Sequence, residues 1–322
     1  MQDGTRVASG VELADGRTIS ANKEVVISAG TIRTPQLLLL SGIGPKEELD
    51  NHGIEQVVES PEVGKNLWDH FGLMQTWKLR HPEIGASLGS TAWIDSKFMN
   101  GNLIDWWVNQ SVSKEELSTA LELDGESVEG EHSLLRTPRC YLGLFVHYVR
   151  LPLDGSVIST WALDHIPTSR GSVTLSSKDI EQKPIIDHNH YATEADRYRI
   201  RTGTRTIAKI LNTLSGKEIA VGEVLPDGIH LVLENLSDED INARICVNRS
   251  TIQHPAGTAS MGKVVDTRLR RSSSRGAWVE GRREDLRRKL KLQKKQAVGL
   301  KAATIYELAD SKVPVARAEP KT

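Results

Sequence analysis

The stretch from residue 25 to residue 42 constrains the fold of this chain more than any other. Val25, Val26 and Ile27 form a β-branched run, which favours the extended backbone of a strand. The run ends at Ala29-Gly30. Thr34-Pro35 then offers a capping hydroxyl and a proline suited to the first helical position, so a helix is predicted to begin there. Leu37 to Leu40 are all leucine, and Gly42 suits the helix C-terminus. A helix that apolar cannot present a side to water. The segment therefore requires a buried strand leading into a short buried helix.

Other elements can be read around this one. Strands are expected from Arg6 and from Arg17 to Ile19, joined by a turn at Asp15-Gly16. Pro45 restarts a polar helix over Lys46 to Asn51, Gly53 ends it, and Ile54 to Val58 is extended. Gln75 to Val149 reads as substrate-side structure with long loops, where Trp77, Trp93, Trp106 and Trp107 mark an apolar region interrupted by the acidic stretch Glu115 to Glu131. Ser169 to Leu175 alternates as a half-buried strand does, with Ile185 and Ile186 extending the system. Thr193 caps a helix whose Ile200, Ile207 and Leu211 share one face, and a second acidic helix start follows Ser237.

The composition bounds the class. With 322 residues, 38% hydrophobic and 26% charged, this is a globular chain of one or two domains. No apolar run approaches the roughly 20 residues that cross a bilayer, so no membrane partner is expected. The two cysteines, Cys140 and Cys246, suit neither a disulfide framework nor a thiolate zinc site. The N-terminus has no apolar leader and enters strand-like sequence at once, so no signal peptide is expected and the opening part of the chain is expected to be missing. The net charge of -1 hides a split: residues 268–322 hold 16 Lys+Arg against 6 Asp+Glu, and the rest holds 25 against 36. The tail is a chemically different segment.

Several residues could carry chemistry. His254 stands before Pro255, which favours extended backbone, and Gly257 and Gly262 allow tight turns beyond it. Such a loop can hold an imidazole rigidly, and histidine is the first candidate for a general base near neutral pH. The same sequence also suits a plain loop. In Val63-Gly64-Lys65-Asn66-Leu67-Trp68-Asp69-His70, Gly64 would let backbone approach a ligand and Asn66 can donate and accept hydrogen bonds, although a simple turn would use the same residues. His188 and His190 would share a face in a strand, a spacing compatible with a metal, but no further ligands accompany them and no metal site is expected. Ser260 lacks a Gly-x-Ser-x-Gly frame, and neither a Gly-x-Gly-x-x-Gly nor a Walker-type phosphate loop occurs. The basic run through Arg282, Arg283, Arg287, Arg288, Lys289, Lys291, Lys294 and Lys295 could attract phosphate or act as a nuclear address. No aromatic residues interleave with its charges, so a solvated tail is favoured over nucleic-acid binding.

Three motifs together resemble the glucose-methanol-choline (GMC) oxidoreductase family of flavoproteins. Ser28 to Pro45, including Gly30-Thr31-Ile32-Arg33-Thr34-Pro35-Gln36-Leu37, is similar to that family's second signature. Val63 to His70 is similar to its glycine, asparagine and aspartate-histidine loop. Gln253 to Gly262, followed by Val264-Val265-Asp266, is similar to the segment carrying its first catalytic histidine. The resemblance implies an α+β fold: a partial FAD-binding domain over 1–74, a substrate domain over 75–250 with a mainly antiparallel sheet flanked by helices, a return over 251–270, and a divergent, poorly ordered basic tail over 271–322. It also implies FAD as cofactor and a small-molecule alcohol as substrate, with His254 as base and hydride passing to flavin N5. Ala29, Gly30, Asn66, Asp69 and His70 would be cofactor-binding residues. The family accepts sugars, choline, aryl alcohols and other alcohols, here through loops within Gln75 to Val149. The oligomeric state is left open.

The sequence departs from the family at both ends. No glycine-rich dinucleotide unit corresponds to the one that holds the FAD pyrophosphate on a helix N-terminus. Beyond Arg270 the motifs give way to the basic run, as an altered reading frame or mispredicted exon would produce. Ala303 to Asp310 resembles the family's last helix, with Leu300 in the place of its second histidine. The alternative reading is a non-catalytic remnant or interaction module with a basic tail. The isolated 322-residue polypeptide is expected to bind FAD weakly or not at all. Gel filtration after loading with FAD checks this: the protein should emerge colourless, and one flavin per chain would contradict the expectation.

Overall fold

Elements are numbered along the chain. The apolar run folds as helix α1, Gly30–Leu40, which begins earlier than the Thr34-Pro35 pair predicts and contains Pro35 in its interior. Proline has no N–H for the carbonyl four residues back, here that of Thr31. That carbonyl instead accepts the Thr258 hydroxyl at 2.6 Å, while the Thr31 hydroxyl donates to the Pro255 carbonyl at 2.7 Å. A tertiary partner replaces the missing helical hydrogen bond, which is why the local cap signal misplaces the start.

The structure, a computed structural model, describes residues 7–85, 87–90, 104, 106–130, 132–225, 236–266, 277–278 and 303–306. The chain divides into two compact units. One comprises Met1–Trp68, Arg170–Asn189 and Pro255–Thr322; the other comprises Asp69–Ser169 and His190–His254.

In the first unit, β1 (Gly10–Leu13) pairs antiparallel with β2 (Thr18–Ser20). β3 (Val25–Val26) precedes α1, but Val26 is 43% exposed, so this strand is buried on one face only. β4 (Ile43–Gly44) and β5 (Val58–Glu59) pair in parallel around α2 (Lys46–Asn51). Leu38, Leu39, Ile43, Leu49, Val63, Leu175, Val264 and Val265 form the core. The segment 170–189, which the sequence reading places with residues 75–250, belongs to this unit. Its strands β10 (Ser172–Thr174) and β11 (Ile185–Asp187) pair with each other, Val173 donates to the Gly64 carbonyl at 2.7 Å, and Leu175 donates to Glu48 at 2.6 Å. Because β11 stops at Asp187 and Asn189 has φ 45°, His188 and His190 do not stand in the strand that their spacing suggests.

Two stretches of the tail are strands. β14 (Ala277–Trp278) runs parallel to β3, and β15 (Ala303–Tyr306) runs antiparallel to β1. Ala303–Tyr306 is therefore extended where the resemblance implies a helix: its backbone hydrogen bonds go to β1. The basic run from Arg282 to Lys295, Leu300, and Trp93 lie outside the described residues.

The second unit is built on β6 (Phe71–Leu79), β7 (Trp106–Gln110), β8 (Leu142–His147), β9 (Val157–Asp164), β12 (Ala220–Glu223) and β13 (Arg249–Thr251). Their order is β12-β6-β9-β8-β7, with β13 also on β6, and every pairing is antiparallel. Part of β6 and all of β7 and β8 lie within Gln75 to Val149, where long loops are expected, and loops and turns also lie there among the described residues. The acidic stretch contains α3 (Lys114–Leu123), capped by Ser113, which accepts the Glu116 N–H. Leu117, Ala120 and Leu121 bury one stripe of it, while its acidic residues favour the positive helix end. α4 (Glu194–Leu211) is capped by Thr193 as its sequence predicts, and α5 (Leu214–Ile219) and α6 (Asp238–Asn248) follow. No helix among the described residues is long and apolar enough to cross a membrane.

α4 carries a buried ion triad. Arg199 Nε lies 2.9 Å from Asp164 and Nη2 lies 2.6 Å from Asp196, with all three side chains at 0% exposure. Asp196 accepts the Thr168 N–H at 2.6 Å and the Ser169 N–H at 3.1 Å, and Asp164 accepts the Ile166 N–H at 3.0 Å. The triad thus fixes the backbone that leaves β9. Arg199→Met strands two buried carboxylates and is expected to cost about 3–5 kcal/mol, measured as the change in unfolding free energy in urea.

Candidate active site

The residues expected to act fall into two sets. In the first unit, Ala29 is the residue before α1 and Gly30 opens it with φ 75°, with no atom within 4 Å of where a Cβ would stand. Asn66 has φ 60°. Its amide donates to Glu62 at 2.8 Å and accepts from Lys263 Nζ at 2.7 Å, and the Asn66 bond, more than Lys263, holds the Glu62 carboxyl below its usual range. The Asn66 side chain is therefore largely engaged within its own unit. Gly64, read as a point of ligand approach, approaches the protein's own backbone: a Cβ there would lie 2.2 Å from the Val173 carbonyl.

In the second unit the sheet assembles Asp69, His70 and His254. His70 immediately precedes β6, and His254 follows β13. The antiparallel register pairs Phe71 with Thr251, and Ile252 donates to the His70 carbonyl at 3.2 Å. Residues separated by 184 positions thereby meet, with His70 Nδ1 and His254 Nδ1 3.2 Å apart and ring centroids 5.3 Å apart. Asp69, 1% exposed, accepts the His254 backbone N–H at 2.8 Å through Oδ1 and the Thr251 hydroxyl through Oδ2. Both oxygens hold residues 251–254, so its observed contacts are those of a positioning residue rather than of a cofactor ligand. Gln253, with φ 63°, completes the turn and donates its N–H to Thr251 Oγ1 at 2.9 Å. His254 itself is exposed.

A third imidazole belongs to the cluster. His165 follows β9, which pairs with β6 so that Asp164 faces Phe71. Its ring centroid lies 5.3 Å from that of His70. Three histidines therefore stand at the ends of three neighbouring strands, β13, β6 and β9. Trp107 stacks on His165 at 5.6 Å and on Phe145 at 4.5 Å, and Phe145 stacks in turn on Trp161 at 5.8 Å. Gly143 makes room for this arrangement, since a Cβ there would meet His165 Nε2 at 2.4 Å and Trp107 at 2.6 Å. Sequence reasoning does not single out His165, which lies in no motif.

Burial is the largest cause lowering His70 below its ordinary 6.5, with the nearby His254 adding to it and Asp69 opposing it. Burial also lowers His165, followed by His70 and His254, and burial lowers His147.

The comparisons with known proteins agree with this architecture. Two models described as GMC oxidoreductase match residues 2–72 and 167–279. The chain belongs to the GMC oxidoreductase family. It is similar to the GMC-type oxidoreductase acuG of Aspergillus aculeatus, at 38% identity over 277 residues, covering 83% of this chain and 53% of that protein. It is similar to the choline oxidase of Arthrobacter globiformis at 30% identity, covering 82% of this chain and 44% of that one. Among solved structures, the formate oxidase of Aspergillus oryzae RIB40 superposes with a TM-score of 0.67 at 26% identity, covering 84% of this chain and 51% of that one. The chain spans about half the length of the curated relatives it matches.

The three depressed histidines set a pH dependence. Between their lowered folded values and 6.5 the unfolded chain binds more protons than the folded one, so stability rises with pH through that window and is fully present above 6.5. Melting temperature is expected to climb between about pH 5 and 7. The double variant His70→Gln, His165→Gln should flatten that climb relative to wild type.

Proposed function

We propose that this chain is the base-carrying part of an FAD-dependent GMC-type oxidoreductase that oxidises the CH–OH group of a small-molecule alcohol. The observation that carries the reading is the exposed His254 imidazole, held beside His70 by a loop tied at Thr251 and at its own backbone N–H to the buried Asp69. Family membership supports the reaction class, the formate oxidase neighbour is described in terms of FAD modification, and the choline oxidase relative acts, by its name, on an alcohol.

The residues suit FAD unequally. Gly30 fits, because the open space beside its Cα lets a ligand lie against the backbone at the start of α1. Asn66 and Asp69 each retain only part of their hydrogen-bonding capacity, Asn66 because it bonds Glu62 and Lys263 and Asp69 because each oxygen accepts one bond from residues 251–254. The sequence supplies no Gly-x-Gly-x-x-Gly turn for the pyrophosphate.

FAD, when bound, supplies the hydride acceptor. The work of this chain is the proton. An alcohol gives up hydride readily only as its O–H bond breaks, so a base must face that hydroxyl. His254 takes the proton and becomes an imidazolium. Asp69 fixes the backbone from which the ring projects, and aligned rings convert an otherwise bimolecular proton transfer into a local one. His70 and His165 line the same end of the sheet and stay neutral near pH 7, which spares the new cation a charged neighbour.

Assayed with FAD in large excess, so that weak binding is offset by concentration, His254→Ala is expected to lower kcat by about 10²- to 10⁴-fold. Steady-state oxidation of a panel of alcohols checks this, and turnover that survives the substitution would remove His254 from the role of base.

A further inference from the structure

We infer that His70 and His254 take up one proton as a pair, so that the base of the proposed reaction is the two imidazoles together. The inference rests on the proposed function for the alcohol that supplies the proton, while the pairing follows from the distance between the rings and needs no flavin.

His70 Nδ1 and His254 Nδ1 stand 3.2 Å apart, a separation that holds one hydrogen between the two nitrogens and not two. In the neutral pair one ring offers that hydrogen and the other a lone pair. Either ring can fill either part, and the count of protons is the same in both cases. The ring that offers the hydrogen has its lone pair at Nε2, so one added proton enters there and leaves the Nδ1 contact intact. The contact becomes a charge-assisted hydrogen bond, which is stronger than the neutral one. Passage of the bridging hydrogen from one Nδ1 to the other then moves the charge between the rings. A second added proton has no such place: it would set N–H against N–H across 3.2 Å and put two like charges side by side. The pair therefore accepts one proton and resists the next.

The surroundings treat the two rings differently. His254 is exposed and His70 only partly so, so a substrate meets His254 and the charge can be held further in. The titratable groups facing the pair are Asp69, one residue before His70 and 1% exposed, and His165 at the end of β9, whose ring centroid lies 5.3 Å from that of His70. A His190 nitrogen lies within 4.8 Å of the Asp69 carboxylate. Asp69 favours a positive charge on His70, and a charge on the pair disfavours one on His165. When the alcohol O–H bond breaks, an N–H bond forms at His254 Nε2. The hydrogen on His254 Nδ1 can then cross to His70 Nδ1, which carries the positive charge to His70 and leaves His254 neutral with its hydrogen on Nε2. The alcohol loses one proton and the pair gains one.

Histidine-selective ¹⁵N NMR on the full 322-residue chain, titrated without flavin from about pH 8 to about pH 4, tests the pairing. As the pH falls, the His70 and His254 signals are expected to shift together through one midpoint that adds a single proton to the two rings, with the second proton entering in a separate step about one pH unit or more below. His70→Gln keeps a side chain that can hydrogen-bond to His254 Nδ1 but cannot take a proton, and there His254 should gain a whole proton in one step. A wild-type titration in which His254 gains a whole proton while His70 stays unchanged overturns the inference without any variant being needed, and so does one in which each ring gains its own proton in the same step. A His70→Gln protein whose His254 signals follow the wild-type course also overturns it, since a hydrogen-bonding role alone would survive that substitution. Failure of the functional reading looks different: there the paired titration is as stated, yet alcohol turnover survives His254→Ala.

Discussion

The grip of one buried carboxylate on a four-residue turn underlies the geometry of the histidine cluster in the second unit. Asp69 spends its oxygens on the Thr251 hydroxyl and the His254 N–H. Burial makes these bonds matter: at 1% exposure, water cannot replace a partner that moves away. The carboxylate also sits one residue before His70, so the same short segment anchors the turn and supplies the imidazole that faces it. Loop position and ring contact are therefore set together, and an imidazole on a loop gains the rigidity of the β6–β13 ladder behind it.

The same economy appears around α1 in the first unit. An internal proline would ordinarily weaken a helix by removing a hydrogen bond. Here the Thr31 carbonyl and hydroxyl both bond to residues 255–258. The helix interruption is thus coupled to the path of a segment more than two hundred residues further along the chain. Each unit uses a polar side chain from one of its early segments to fix the segment around His254-Pro255, on opposite sides of that peptide bond.

Much of this was legible in advance for reasons that are local. Thr193 and its acidic first turn announced α4, the apolar run announced α1, and Pro45 with Gly53 bracketed α2, because caps, dipole complementarity and helical periodicity operate within a few residues. The motif residues Asp69, His70 and His254 were also visible. What they do was less so, since Asp69 reads as a ligand only until its partners are known. The large sheet was hidden. β6 and β9 are almost wholly buried on both faces, so they lack the alternation that marks a strand, and the acidic residues of α3 masked its buried stripe.

His165 shows where sequence reading stops. No spacing or neighbour marks it, and it enters the cluster only because β9 lies beside β6 in one register. By itself, the sequence determined which residues could exchange protons, which segments would be helical, and the family resemblance that the comparisons bear out. Tertiary structure alone decided which imidazoles meet, which hydroxyl replaces the hydrogen bond lost at Pro35, and which carboxylate is spent on positioning. The reason is physical: propensity and capping act between near neighbours in the chain, whereas hydrogen-bond partnership depends on distances in space that strand register sets.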